Sequence, residues 1–354
     1  MRALVNTRAD RAAVPAPSAA ALAFHAALPG YAPTPLRDLP HVASELGLGA
    51  VGLKDETARL GLPAFKVLGA SWAVERAVRG RPGIHTLVAA SAGNHGRAVA
   101  RVAAQRGLAC RILLPARAAR ARREAIEAEG ADVYVVDGTY EHALALAAAE
   151  ATHPGVVEIP DAGTAGPARW VIDGYATLFA EVAAQGAFDL LLVPVGVGSL
   201  AAAAARAAAA HGGRVVGVEP VTAACLTASL AAGAPTRVPT PGTTMAGLDC
   251  AEVSPAAWPE LSAGIAGTIT VADAEVHAAM RELAGAGLAV GDCGAAPLAA
   301  LRALAVEPEC AELRAAVGAG PRTRVLLLGT EGPTDPDAYR LALAGAAIPR
   351  PSGM

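Results

Sequence analysis

Aromatic side chains are scarce in this chain: Phe, Tyr and Trp make up 3% of 354 residues. That argues against the stacked aromatic platforms with which proteins grip single-stranded nucleic acid. A surplus of positive charge is lacking too. With 29 Lys and Arg against 32 Asp and Glu, the net charge is −3, and there is no electrostatic case for a nucleic-acid partner. The cysteines Cys110, Cys225, Cys250, Cys293 and Cys310 lie far apart and form no CxxC. They read as reduced thiols of a cytoplasmic protein, with no disulfide framework and no metal site expected. The N-terminus carries Arg2, Arg8, Asp10 and Arg11 without a continuous apolar stretch, so it is not a signal peptide. A membrane span is not expected either. The apolar run from Leu190 to Ala210 is broken by Pro194, Gly196, Gly198 and Arg206, and reads as strand, turn and helix.

What the chain does have is apolar mass. Hydrophobic residues are 53% of the total, enough for a large core and two lobes. Residues up to about Gly30 are Ala- and Pro-rich and read as a loosely packed arm. From there buried-strand patterns alternate with helical ones: a strand to Lys54, a helix from Lys66 to Val78, and a strand from Thr86 to Ala90. A helix from Arg97 to Gln105 follows, then strands at Cys110–Leu114, Asp132–Val136 and Val156–Ile159. A helix around Gly174–Gln185 leads to strands at Asp189–Pro194, Arg214–Glu219 and Arg324–Leu328. This alternation implies right-handed parallel βαβ units, an α/β fold with largely parallel sheets covered by helices. Such sheets place ligands at the carboxyl ends of strands.

Four segments carry chemistry, three of them at such positions. In LKDETARLGLPAFKVLGA, Lys66 stands between apolar neighbours at a helix start. Burial disfavours an ammonium and lowers its pKa, and a neutral amine condenses with a carbonyl to give a Schiff base. Alternatively, Lys66 reaches solvent from the helix end. In SAGNHG, Ser91, Gly93, Asn94 and His95 cluster donors that suit a carboxylate or phenolate oxygen, or else form an ordinary turn with Asn94 as a cap. Gly196-Val197-Gly198-Ser199-Leu200 joins a strand to an Ala-rich helix, whose free N–H groups favour a phosphate, with Ser199 as an extra donor. The same residues fit a dinucleotide fingerprint, with Glu219 as a ribose acid. Finally, Thr330 ends a strand and offers a neutral hydroxyl to a heteroaromatic nitrogen, or caps the next element.

Seven blocks, KDETARLGLPAFKVLGA, SAGNHGRAVA, RWVIDGYATL, VPVGVGSLA, TTMAGLDCAEVSP, GDCGAAPL and GTEGPTDPDAYR, run in order from about residue 31 to residue 340. Together they resemble the two-lobed fold-type II pyridoxal phosphate enzymes, the tryptophan synthase β-subunit-like group. Within that group the chain looks most like the diaminopropionate ammonia-lyase family, with features of the serine/threonine dehydratases. The resemblance implies a cofactor-binding domain of residues 1–85 and 190–354, and a smaller domain of residues 86–189 carrying the Asn94 loop. It implies that Lys66 holds pyridoxal 5'-phosphate as a Schiff base and that Asn94 bonds the phenolic oxygen. Gly196 to Leu200 would bind the phosphate, Thr330 would face the pyridine nitrogen, and Ser91, Gly93, Asn94 and His95 would border the substrate carboxylate. Two departures stand out. Ala92 occupies the place of a family aspartate that acts as an acid/base, and the family's second catalytic carboxylate falls on either Glu158 or Asp161. The expected activity is β-elimination from a small L-amino acid, giving a 2-oxo acid and ammonia, in a homodimer. The alternatives are β-replacement on the same fold, a nucleotide-binding oxidoreductase built on Gly196 to Ala201, and a non-catalytic cofactor binder.

Overall fold

Leu190–Pro194 (LLLVP) and Arg324–Gly329 (RVLLLG) are apolar runs buried on both faces, the pattern of strands covered by helices above and below. A computed structural model, which describes residues 2–348 apart from 117, 119, 139 and 165, builds two sheets from such runs. The strands are β1 Ala3–Val5, β2 Leu36–Asp38, β3 Ala50–Asp55, β4 Thr86–Ala90, β5 Ala109–Pro115 and β6 Asp132–Val136. They continue with β7 Val156–Glu158, β8 Leu190–Pro194, β9 Arg214–Pro220, β10 Ile265–Val271 and β11 Arg324–Gly329. Seven form one sheet in the order β1-β10-β9-β8-β11-β3-β2, and four form the other in the order β6-β5-β4-β7. The smaller sheet is parallel throughout. In the larger one, β10 to β3 run parallel, and only β1 and β2 at the edges are antiparallel. The result is the expected two-lobed α/β architecture. The ends of the larger segment foreseen for the cofactor domain, residues 1 and 349–354, lie outside the described residues. Among the described residues, no helix is long and apolar enough to cross a membrane.

The N-terminus departs from expectation. It is no loose arm, because β1 pairs with β10 and Arg2 is held by Glu275 and Glu307. Further on, the Ala20–Ala26 helix buries His25, which bonds Thr177 at 2.7 Å. The strand β10 was not foreseen, because the Trp258–Gly264 helix runs into it without a turn, Ile265 being both helix cap and first strand residue. The helical pattern expected at Gly174–Gln185 is two helices, Pro167–Gly174 and Ala176–Gln185, meeting at Tyr175. The helix after β4 begins at Asn94, not Arg97, which brings Asn94 into its first turn.

The helix Lys66–Val78 lies between the sheets and crosses Pro167–Gly174 at very close range. A Cβ on Gly174 would come 2.5 Å from the Leu68 carbonyl oxygen, and one on Gly69 would come 2.7 Å from the Tyr175 ring. Nearby, Lys54, Glu56, Arg59 and Glu181 form a buried charge network. Arg59 bonds both carboxylates, and Lys54 Nζ donates to the Thr34 carbonyl, Glu181 and Gln185 at 2.7, 2.8 and 2.8 Å. Buried charges are tolerated when every donor is matched in this way, and removal of one partner strands the others.

Gly174→Ala is expected to cost about 1–3 kcal/mol, the usual penalty of overpacking. It should appear as a lower urea midpoint at unchanged slope. Gly285→Ala, where a Cβ meets nothing within 4 Å, should leave the midpoint unchanged or raise it.

Candidate active site

Residues that follow β11 and β7 meet at Lys66, the first residue of its helix. Phe65, just before it, donates its backbone N–H to the Thr330 carbonyl at the end of β11. Asp161 follows β7 and reaches the lysine from the smaller sheet. Its Oδ2 lies 2.6 Å from Lys66 Nζ, with each side chain 20% exposed along the cleft. Burial alone would lower the lysine's pKa, but Asp161 reverses the shift and the net movement is upward. This corrects the expectation of a neutral amine: without a carbonyl partner, Lys66 carries a proton at neutral pH. Burial likewise opposes ionisation of Asp161, yet the Lys66 ammonium and His95 draw its pKa below the ordinary value. A depressed carboxylate pKa stabilises the fold above the unfolded-state value of about 4, and that contribution is lost as pH falls through the folded value. The pair is therefore intact at neutral pH and breaks only in acid.

Glu158, the other candidate carboxylate, is not brought to Lys66. It ends β7 half-buried, its pKa raised by burial alone, and no hydrogen bond or ion pair joins it to the lysine. His95 Nε2 donates to the Ile159 carbonyl at 2.7 Å, and burial draws the ring's pKa below its ordinary value. Its Nδ1 faces Asp161 Oδ1 at 3.9 Å. The Asn94 side chain does not cap its own helix but donates across the cleft to Glu331. Ser91 Oγ accepts the Gly93 N–H at 3.3 Å. Beside Glu331, the Asp292 carboxyl is pushed up to about 7 by burial and by the glutamate's charge.

The glycine loop after β8 opens the helix Ser199–His211. Gly198 sits at its N-cap with φ +93°, a left-handed conformation that favours glycine, and no side chain caps the helix start. The first-turn N–H groups have no partner within the helix, which suits an anion. A Cβ on Gly196 would meet the Gly247 carbonyl oxygen at 2.6 Å, so the loop is cradled by backbone. Ser199 is used differently than expected: its hydroxyl donates to the Asp161 carbonyl at 3.1 Å. Ser254 completes the tie, its N–H on the Val197 carbonyl and its Oγ on the Gly163 backbone. Glu219 is sealed from any ribose. It is fully buried and accepts the Leu226 N–H, the Thr227 N–H and the Thr227 hydroxyl at 2.6, 2.8 and 2.7 Å.

The residues fit pyridoxal phosphate. A Schiff base needs a lysine, and Lys54 and Lys66 are the only two in the chain. Lys54 is fully buried with all three N–H groups bonded, which leaves Lys66. Around it, Asp161 Oδ1, His95 Nδ1, Tyr175 OH and Thr330 Oγ1 are buried polar atoms with no hydrogen-bond partner.

The sequence model of the pyridoxal-phosphate dependent enzymes matches residues 27–317. The chain belongs to that family. The diaminopropionate ammonia-lyase of Salmonella typhimurium is 32% identical over 361 residues, covering 90% of this chain and 89% of its own. The crystal structure of the Escherichia coli diaminopropionate ammonia-lyase with D-serine aligns at a TM-score of 0.89 and 28% identity, covering 96% of each chain. Its complex with an aminoacrylate-PLP azomethine reaction intermediate aligns at 0.87. The chain is a pyridoxal phosphate-dependent lyase of fold-type II, and the oxidoreductase reading falls.

Sequence reasoning missed Tyr175, Ser254, Cys250 and Glu331. All lie inside the seven blocks, but nothing local to each marks it as part of the site.

Borohydride reduction of the protein with its cofactor is expected to fix the label on the peptide holding Lys66, read by mass spectrometry. Label on Lys54 would refute the assignment. Gly198→Asp, which sets a carboxylate against the anion site and forces a Cβ to 2.5 Å from Leu261, should lower cofactor affinity at least tenfold in an absorbance titration.

Proposed function

We propose that the protein eliminates ammonia from the β-carbon of a small L-amino acid of the diaminopropionate kind, and that water hydrolyses the released enamine to a 2-oxo acid and a second ammonia. The observation that carries this reading is the Lys66–Asp161 pair at the one lysine open to the cleft. Bound pyridoxal phosphate supplies an electron sink for the charge left at Cα when its proton departs. The chain's own residues do the rest. Lys66 anchors the cofactor and, once exchanged for the substrate amine, takes the Cα proton. Asp161 holds the resulting ammonium, and its own place is fixed through Ser199 and Ser254. The backbone from Gly196 to Leu200 binds the phosphate, Asn94 serves the phenolic oxygen, and Thr330 serves the ring nitrogen. A neutral hydroxyl at that nitrogen leaves the ring a weaker electron sink, which favours expelling a β-substituent over storing charge at Cα. Ser91, Gly93, Asn94 and His95 border the substrate carboxylate. We further propose that residues 1–85 and 190–354 act as the cofactor domain and residues 86–189 as the smaller one, in a cytoplasmic homodimer.

Stereochemistry follows from Ala92. The resemblance places a family aspartate there, able to take a proton from the cofactor face opposite the lysine. A methyl group accepts no proton, and Asp161 and His95 are grouped with the lysine itself.

The test is ammonia and 2-oxo acid release from L- and D-diaminopropionate and the serines. The L-enantiomers should turn over and the D-enantiomers should lag by about 10²–10⁴-fold, the usual worth of a general base. Ala92→Asp should recover part of the D-activity. Equal rates on both enantiomers would overturn the stereochemical reading, and release of ammonia only when a thiol or amine co-substrate is consumed would favour β-replacement.

A further inference from the structure

Tyr175 is a residue at the cleft whose side chain neither the sequence reading nor the reaction above employs. It sits at the junction of the Pro167–Gly174 and Ala176–Gln185 helices and is 0% exposed. Its ring packs on Phe65, centroids 4.8 Å apart, the residue immediately before Lys66. Room for the ring is made by Gly69, one turn along the lysine's own helix, where a Cβ would stand 2.7 Å from Cε1 and 2.8 Å from Cζ. The phenol is thus aimed at the start of that helix by packing on two sides. Its hydroxyl finds no partner at bonding geometry, while the Lys66 ammonium and the Asp161 carboxylate are close enough to act on it. A phenylalanine would fill the same space without the cost of a buried, unpaired hydroxyl.

The donors and acceptors around Lys66 divide unevenly. Asp161 is an ionised carboxylate and only accepts, so it serves the charged lysine. A lysine amine that has given up its proton has a lone pair instead, which needs a donor. His95 has spent its N–H on the Ile159 carbonyl, and Ser199 its O–H on the Asp161 carbonyl. The Cys250 thiol, also within electrostatic reach of Lys66, is a weak donor. Tyr175 is left as the strong one, and burial keeps its proton in place.

We propose that Tyr175 is a positioning residue for Lys66, donating its phenolic O–H to the lone pair of the free, uncharged amine and so aiming that amine for proton transfer. This rests on the reading of Lys66 as the cofactor lysine. Asp161 and Tyr175 then bracket the amine, one serving its charged form and the other its neutral form.

The test uses Tyr175→Phe. Well below the pKa of Lys66, its acylation by acetic anhydride follows the uncharged fraction, and loss of a donor to that form raises the pKa by about half to one unit. In the cofactor-free protein, acylation of Lys66 at pH 9 should therefore slow about three- to tenfold, read on its peptide by mass spectrometry. Lys54, fully buried and with all its N–H groups bonded, is the negative control and should stay unlabelled in both proteins. In the holoenzyme the visible absorbance should persist, with kcat down about tenfold and KM within about twofold. Replacement of Tyr175 by 3-fluorotyrosine, a stronger donor of the same shape, should move the acylation rate in the opposite direction. Unchanged acylation and unchanged kcat in Tyr175→Phe would reduce Tyr175 to a space filler and overturn the proposal. Failure of the underlying reading looks different: borohydride would then leave Lys66 unlabelled in the wild-type holoenzyme.

Discussion

The site depends on two helices that touch through their backbones. Lys66–Val78 belongs to the run between the two sheets, and Pro167–Gly174 follows the smaller sheet. They approach so closely that Gly69 and Gly174 leave no room for a Cβ. That crossing fixes Lys66 relative to Tyr175, and the loop leading from β7 into the Pro167–Gly174 helix carries Asp161. A change of one methyl group there would move the acid and the phenol together away from the amine. The placement of Asp161 and Tyr175 against Lys66 is thus inherited from a packing constraint between two backbones.

Around that crossing the charges are sorted by burial and partner number. Lys54 lies at full burial in a network that consumes each of its protons, and it is inert for that reason. Lys66 is held by a single carboxylate at the edge of the cleft and keeps a fifth of its surface open. Of its two lysines the chain has thereby tied one fully into a buried network and left the other open to the cleft. The same sorting applies to the carboxylates: Glu219 is locked by three donors, Glu181 by Lys54 and Arg59, and Asp161 by the amine it serves.

The cleft is also a junction between sheets. Asn94 from the smaller sheet's side donates to Glu331 at the end of β11, and Ser199 beside the glycine loop holds the Asp161 backbone. Movement of one lobe against the other would therefore be felt at the lysine, the glycine loop and the Asn94 amide at once.

By itself the sequence determined the alternating α/β plan, because buried strands and their following glycine loops are local patterns. It also pointed to Lys66, the glycine loop and the Asn94 segment as candidates, since each is a short motif at the start of a helix. Residues that become active only by meeting something distant were decided by the tertiary structure. Asp161 and Glu158 are equivalent carboxylates in a short stretch of sequence, and only the turn after β7 aims one of them at an amine 95 positions away. Tyr175 reads as one more buried residue in a helix until Gly69 is found beneath its ring. The protonation of Lys66 inverted for the same reason: an apolar sequence setting predicts a lowered pKa, and a carboxylate brought in from the other sheet raises it.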